Sequence, residues 1–186
     1  MIFSVPVDKH IGVMISGGMD SALLLYLVAQ QHPQKITTFT VPKHDGASLY
    51  VNDVVDWINE KLQLNIPYSI LTGNPDLPHS EILNNALPQI EHLCDVFYLG
   101  GNIYPKDILP GGPNRVRRKH PKMKQPFFHL FKTDLLQMYL DLDILELSRI
   151  THTCTEWSVG RCQQCWQCKE RIWAFTTLGI EDLTTV

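Results

Sequence analysis

Four of the five cysteines fall in one short stretch, THTCTEWSVGRCQQCWQCKERIWAF, as Cys154, Cys162, Cys165 and Cys168, spaced C-x7-C-x2-C-x2-C. Thiolates three residues apart can converge on one ion, and four of them satisfy tetrahedral Zn²⁺. A site closed by four sulfurs has no open position, so its expected role is structural. A C-x2-C-x2-C run also suits an iron–sulfur cluster, and His152 is a substitute ligand. Reduced cysteines packed in a core fit less well, because Arg161, Gln163, Gln164 and Gln167 make the segment polar. Trp157, Trp166 and Trp173 are expected to pack around this knuckle, base stacking being their other use.

The second reactive pattern lies near the start, where VMISGGMDS (13–21) runs an apolar stretch into two glycines and then into ALLLYLV. Gly17 and Gly18 can take positive φ and leave backbone N–H groups uncovered. With the first N–H groups of a helix, they form an anion site that the helix dipole favours. Ser16 and Ser21 add hydroxyls. Read blandly, this is a tight turn with Asp20 capping the helix. Read chemically, it is a polyphosphate cradle (Ser16, Gly17, Gly18, Met19, Asp20, Ser21) in which Asp20 is tolerated beside phosphate because Mg²⁺ lies between them. No lysine follows the glycines, so the pattern is not G-x-x-x-x-G-K-[ST], and positive charge must come from elsewhere in the chain.

Positioning these groups requires strand–helix alternation. Residues 7–16 read as a buried strand, Asp20 to about Gln31 as a buried helix, and KITTFTV (35–41) as a β-branched strand. Val51, Val54, Val55, Ile58 and Leu62 recur at helical spacing, which predicts an amphipathic helix over 48–63. IPYSILT (66–72) reads as a strand. A helix capped by Ser80 and kinked at Pro88 follows, then a strand over VFYLGG (96–101). Such alternation implies an α/β doubly wound parallel sheet with right-handed crossovers, whose ligands bind beyond the strand C-termini. Residues 102–126 hold five prolines and the basic run RVRRKHPKMK, an irregular loop of functional length. A helix from Thr133 to Leu142, the cysteine segment and a last helix over 169–176 complete a single domain spanning 1–186, with 150–176 as its metal-binding end.

A length of 186 residues allows one ordinary domain with its own core. Hydrophobic residues at 44% and charged residues at 19% indicate a globular chain. No apolar run reaches bilayer length, and MIFSVPVDKH lacks the basic and apolar regions of a secretory signal. Clustered cysteines point to a reducing compartment, so a cytoplasmic location without membrane attachment is expected. A net charge of −3 makes the whole chain a poor electrostatic match for nucleic acid.

SGGMDS resembles the S-G-G-x-D-S signature of the PP-loop ATP pyrophosphatases, which grip the β,γ-pyrophosphate of ATP, transfer AMP and release pyrophosphate. Within that group the chain resembles 7-cyano-7-deazaguanine synthase, which joins this loop to a C-terminal four-cysteine zinc site. The closing pattern T-x-x-C, C-x2-C-x2-C, x2-R-x2-A/G-F reads here as Thr151, Cys154, Cys162, Cys165, Cys168, Arg171, Ala174 and Phe175. PFFHLFKTDLLQMYLDLDI resembles the P-L-x-x-x-T-K-x-E-I-I segment and puts Lys132 at its lysine, and LGGNIYP (99–105) resembles the stretch after strand four. TVPKHDGASLY stands where the family has D-Y-G-Q-x-H, with His44 as the stand-in histidine. The family's segment before the third helix and its Asp-Cys-Arg after Tyr-Pro are absent.

The resemblance implies ATP, Mg²⁺ and Zn²⁺ as cofactors. It further implies a carboxylate like 7-carboxy-7-deazaguanine as acceptor, ammonia as second substrate, and a homodimer. Asp20 is expected to place the metal and Lys132 to lie near the phosphates, against the plainer reading of a solvated lysine at a helix start. Residues 115–124 are expected to form a solvated run, a flap over the triphosphate or, less favoured, a nucleic-acid contact. Two other functions fit the same residues: tRNA thiolation, for which Cys94 is the remaining thiol, and a non-catalytic nucleotide- or nucleic-acid-binding module with a zinc knuckle.

Overall fold

The computed structural model describes residues 2–183, apart from the side chains of His79 and Ser80. Five strands form one sheet: β1 (His10–Met14), β2 (Lys35–Thr40), β3 (Tyr68–Ile70), β4 (Val96–Leu99) and β5 (Met123–Lys124). Their order is β3-β2-β1-β4-β5 and every neighbouring pair is parallel. Connections from β1 run outward to β2 on one side, and the chain later returns to β4 on the other. The crevice therefore opens at the C-terminal ends of β1 and β4, where the winding reverses.

Side-chain alternation along the strands builds two cores. Ile11, Val13 and Tyr98 face one layer, packed by α1 (Met19–Ala29), α2 (Val51–Leu62), α4 (Lys132–Asp141), α5 (Leu145–Arg149) and α6 (Trp166–Thr177). Met14, Phe39 and Phe97 face the other, covered by α3 (His79–Ile90) through Ile82, Leu83, Ala86 and Ile90. Helix α1 is buried on nearly all sides, which explains why MDSALLLYLVA carries no polar face. Gly12 is required at the sheet centre, because a Cβ there would lie 2.6 Å from the Phe97 ring.

Several sequence expectations are corrected. Residues 102–126 are not wholly irregular, since Met123–Lys124 adds an edge strand beside β4. Two residues are too few to show a period. Helix α5 was not expected, being a single short turn after Asp143, whose φ is +53°. Helix α6 starts at Trp166, three residues earlier than expected, because Cys165 takes the capping position and its sulfur accepts the Cys168 N–H. Helix α3 follows Pro78, so Ser80 lies one residue inside it rather than at its cap, and its side chain is outside the described residues. Pro88 sits in the last turn of α3, where it has no N–H to offer the carbonyl of Asn84.

Candidate functional site at the first strand–helix turn

Gly17 sits at φ +83°, and a Cβ there would lie 2.9 Å from the carbonyl carbon of Ala47 and closer still to its oxygen. Gly18 is extended and begins α1 without any side-chain cap. Ala22 N–H makes the first helical bond, to Gly18 O, so the N–H groups of the first turn have no helical partner; Gly18 N–H itself donates to Ser16 Oγ at 3.3 Å. Gly100 at the end of β4 lets that strand approach closely, since a Cβ would lie 3.0 Å from Ser21 N.

The two serines turn inward. Ser21 Oγ accepts from Ser16 N at 3.1 Å, donates to Gly18 O at 3.0 Å and lies 3.1 Å from Ser16 Oγ. They close the loop on itself, whereas the sequence suggested hydroxyls pointing at a ligand. The capping reading of Asp20 is also overturned. Its carboxylate forms an ion pair with Lys132, a residue 112 positions away at the start of α4. Lys132 is only 4% exposed, so the solvated reading of that lysine is excluded too. Tyr139 from α4 donates to Met19 O at 2.7 Å, which pins α4 to the loop; burial holds its phenol far above the ordinary range, so it remains a donor.

Behind Lys132 lies a group that the sequence did not reveal. Glu170 of α6 is 1% exposed, with Oε2 3.6 Å from Lys132 Nζ and 3.5 Å from Arg115 Nη2. Its Oε1 accepts from Asn102 Nδ2 at 2.8 Å, and Arg115 Nη1 donates to Asn102 O at 2.6 Å. Two carboxylates and two cations thus alternate beside the loop. Nothing in the local pattern CKER marks Glu170, because its partners come from residues 102, 115 and 132.

Of the basic run, Arg115 alone is seen to join this network. Arg118 donates to Asn84 of α3 at 2.6 Å, His120 lies 3.6 Å from Glu91, and Lys122 donates to Glu91 O and Cys94 O. The run is fastened along α3 instead of folding over the loop.

Cys154, Cys162, Cys165 and Cys168 converge, with one sulfur from each lying within 4.8 Å of all the others. Cys154 Sγ accepts N–H groups from Glu156, Trp157 and Cys162, and Cys162 Sγ accepts from Gln164 and Cys165, at 3.2–3.4 Å. Such N–H···S bonds favour thiolates. Burial opposes ionisation at Cys165, but hydrogen bonds from Thr155 and Cys168 outweigh it and bring the thiol down to about 6. Burial, then the hydrogen bond with Cys165, pushes Cys168 the opposite way. One cation at the centre removes that conflict, so the donor set fits a metal ion.

The knuckle adjoins the glycine turn. His152 N donates to Gly17 O at 2.9 Å, and its ring stacks on Tyr50 with centroids 4.9 Å apart. Tyr50 OH donates to Ser158 O at 3.0 Å. His152 Nε2 bonds Trp157 O at 2.7 Å, so the imidazole braces the knuckle loop and is not brought into the sulfur cluster. Trp166 packs edge-on to Tyr104 and Trp173 to Phe131; Trp157 departs from expectation and stands 54% exposed. Arg171, fully buried, donates to Ser148 O, Thr151 Oγ1 and Thr153 Oγ1 and binds both oxygens of Asp182. Cys94 lies at the far end of the sheet, 3.7 Å from His10 Nε2, and burial lifts its thiol to about 11.

Beside the turn is a cavity of about 370 Å³ lined by Lys43, His44, Asp45, Asp76, Ile82 and Thr155, among others. Asp45 joins it to the loop: its carboxylate accepts Ala47 N–H, the residue against which Gly17 packs. His44 pairs with Asp76 on its rim. Among the described residues, no helix is long and apolar enough to cross a membrane.

The asparagine synthase family model matches residues 5–61, the stretch carrying β1, the glycine turn, β2 and most of α2. No curated protein matches the chain. The structure is similar to that of NMN synthetase from Francisella tularensis, with a TM-score of 0.54, 12% identity, and coverage of 95% of this chain and 79% of that one. It is also similar to U34-tRNA thiolase NcsA from Methanococcus maripaludis with its [4Fe-4S] cluster, with a TM-score of 0.53, 16% identity, and coverage of 92% and 67%. The chain thus has the PP-loop-like α/β fold, with a four-cysteine cluster that could bind a metal set against its glycine turn.

Proposed function

We propose that this protein is an ATP-dependent, adenylate-forming and pyrophosphate-releasing synthetase of the PP-loop ATP pyrophosphatase superfamily, acting in the manner of 7-cyano-7-deazaguanine synthase. The observation that carries this reading is the uncapped Gly17–Gly18 turn at the sheet's switch point, with Lys132 delivered to Asp20 from a distant helix. An anion cradle of N–H groups accounts for the loop; a buried cation at its edge accounts for reaction at phosphorus.

The turn and the first N–H groups of α1 hold the β- and γ-phosphates, which leaves the α-phosphate facing Lys132. Acceptor carboxylate oxygen attacks the α-phosphorus, the bond to the bridging oxygen breaks, and pyrophosphate leaves on the loop. Ammonia then adds to the acyl adenylate and expels AMP, giving an amide. The amide oxygen then attacks the α-phosphorus of a second ATP and expels a second pyrophosphate, and loss of AMP with two protons gives the nitrile. Lys132 stabilises the charge that builds on the α-phosphoryl oxygens, a task for preorganised cations in a partly dry site. Asp20 is the residue that would hold Mg²⁺, which supplies charge neutralisation at the β,γ-phosphates. The cavity lined by Lys43, His44, Asp45 and Asp76 is the acceptor pocket in this reading, with Lys43 held by Asp45 and His44 by Asp76.

Cys154, Cys162, Cys165 and Cys168 would hold Zn²⁺. Zn–S bonds of about 2.3 Å place tetrahedral sulfurs roughly 3.8 Å apart, in keeping with the 4.8 Å limit here. In a cubane cluster each thiolate binds a different iron, which spreads the sulfurs farther. Remote, protonated Cys94 gives thiolation no nucleophile.

The test is product analysis with ATP, ammonia and a panel of carboxylates headed by 7-carboxy-7-deazaguanine. Carboxylate-dependent AMP and pyrophosphate support the reading. Nucleotide binding without any pyrophosphate would make the protein a binding module, and a coloured iron cluster would favour thiolation.

A further inference from the structure

We propose that Glu170 is a positioning residue, the strut through which the four-cysteine knuckle holds the Lys132 ammonium at the loop. Glu170 lies on α6 two residues beyond Cys168, and that helix is anchored at its start by the Cys165 cap. Its carboxylate is buried, and Oε2 lies at ion-pair distance from two cations, Lys132 and Arg115, without a hydrogen bond to either. Its second oxygen is held by Asn102 at 2.8 Å. Burying such a cluster of charges is costly, and replacing the whole of it by apolar groups of similar volume is often neutral or stabilising, so stability alone does not account for Glu170. What the charge achieves is geometric. Lys132 has a flexible four-carbon stem, and with Asp20 alone, whose side chain is 17% exposed, it could swing toward water. A second carboxylate from behind confines it to one point.

The chain of contacts runs from the sulfur cluster through α6 and Glu170 to Lys132. Arg171, the next residue, fastens the same helix to Thr151 and Thr153 beside the loop. Metal occupancy is thereby felt at the lysine through the register of one helix. The catalytic meaning of that lysine's position rests on the adenylation reading; the mechanical link does not.

The test measures acetylation rates of individual lysines by acetic anhydride and peptide mass spectrometry. It uses the metal-loaded wild type, Glu170→Gln, Glu170→Asp and chelator-treated protein. Lys122, held by Glu91 O and Cys94 O far from the knuckle, reports general loosening. Lys132 should react roughly fivefold or more faster in Glu170→Gln and after chelation, with Lys122 unchanged and Glu170→Asp partly protected. In pyrophosphate release, Glu170→Gln should lower kcat by about tenfold while changing KM for ATP much less. An unaltered Lys132 rate, or Lys122 rising in step with it, overturns the strut. Absence of pyrophosphate release from wild type would refute the adenylation reading and leave the acetylation result to decide the strut on its own.

Discussion

Replacing Gly17 with alanine places a methyl group where the chain has left no room. The residue sits at φ +83°, a region that costs an L-residue about 1–2 kcal/mol. Its new Cβ would also overlap the Ala47 carbonyl, backbone that belongs to a short turn and cannot rotate away as a side chain can. Overpacking of this kind adds about 1–3 kcal/mol. Together these predict a loss of about 2–5 kcal/mol, which for a chain of this length lowers Tm by on the order of 10 °C. Gly101→Ala is the matched control, because nothing lies within 4 Å of its Cβ and its φ is not positive; it should cost less than about 0.5 kcal/mol. Thermal melting and ATP titration calorimetry on both variants check the argument. If Gly17→Ala melts within 2 °C of wild type (about the effect of a surface change) and binds ATP equally well, the cradle geometry is wrong.

Lys132→Met should lower pyrophosphate release by about 10²–10³ with little change in KM for ATP, and undiminished turnover would remove the lysine from the chemistry. Arg171→Met removes the two-toothed partner of Asp182, which keeps its pair with Arg161, and the donor to the Thr151 and Thr153 hydroxyls; calorimetry should register a loss of about 1–3 kcal/mol. Chelation of the metal should lower Tm, with one metal equivalent released per chain by elemental analysis, because binding energy at such a knuckle is folding energy. Cys94 predicts an alkaline weakness. Its thiol is raised to about 11 in the folded chain from an unfolded value near 9, so the folded state keeps a proton that the unfolded state has lost. Stability is therefore intact below pH 9 and falls as pH rises toward 11, Cys94 contributing on the order of 2 kcal/mol of that fall, and Cys94→Ala should remove this share and leave the one that buried phenols such as Tyr139 and Tyr98 contribute.

The strands and long helices were legible because local patterns dictate them: the β-branched KITTFT, the 3.6-residue recurrence in α2, the glycines after two buried strands. The turn and the cysteine cluster were legible for a different reason, since each gathers its chemistry within a few residues. What sequence could not show is how separate segments meet. Asp20 looks like a helix cap until α4 brings Lys132 to it. Ser21 looks like a ligand donor until its hydroxyl is seen closing the loop on Ser16 and Gly18. Glu170 carries no local signal, and Arg115 is marked only as one of a basic run, for their meaning depends on contacts across 38, 55 and 68 positions of chain. In the basic run, Arg118, His120 and Lys122 are taken up by Asn84, by Glu91 and by the carbonyls of Glu91 and Cys94, partners that clustered charge alone does not announce.

The central claim is that the Gly17–Gly18 turn grips the two distal phosphates and turns the α-phosphorus toward Lys132. A crystal structure with Mg²⁺ and the α,β-methylene analogue of ATP tests it directly. The β- and γ-phosphate oxygens should lie on the N–H groups of the turn and of the first turn of α1, with the α-phosphate beside Lys132 and open to the cavity at His44. Nucleotide bound with only its terminal phosphate exposed to that cavity, or bound elsewhere while the turn stays empty, would contradict it.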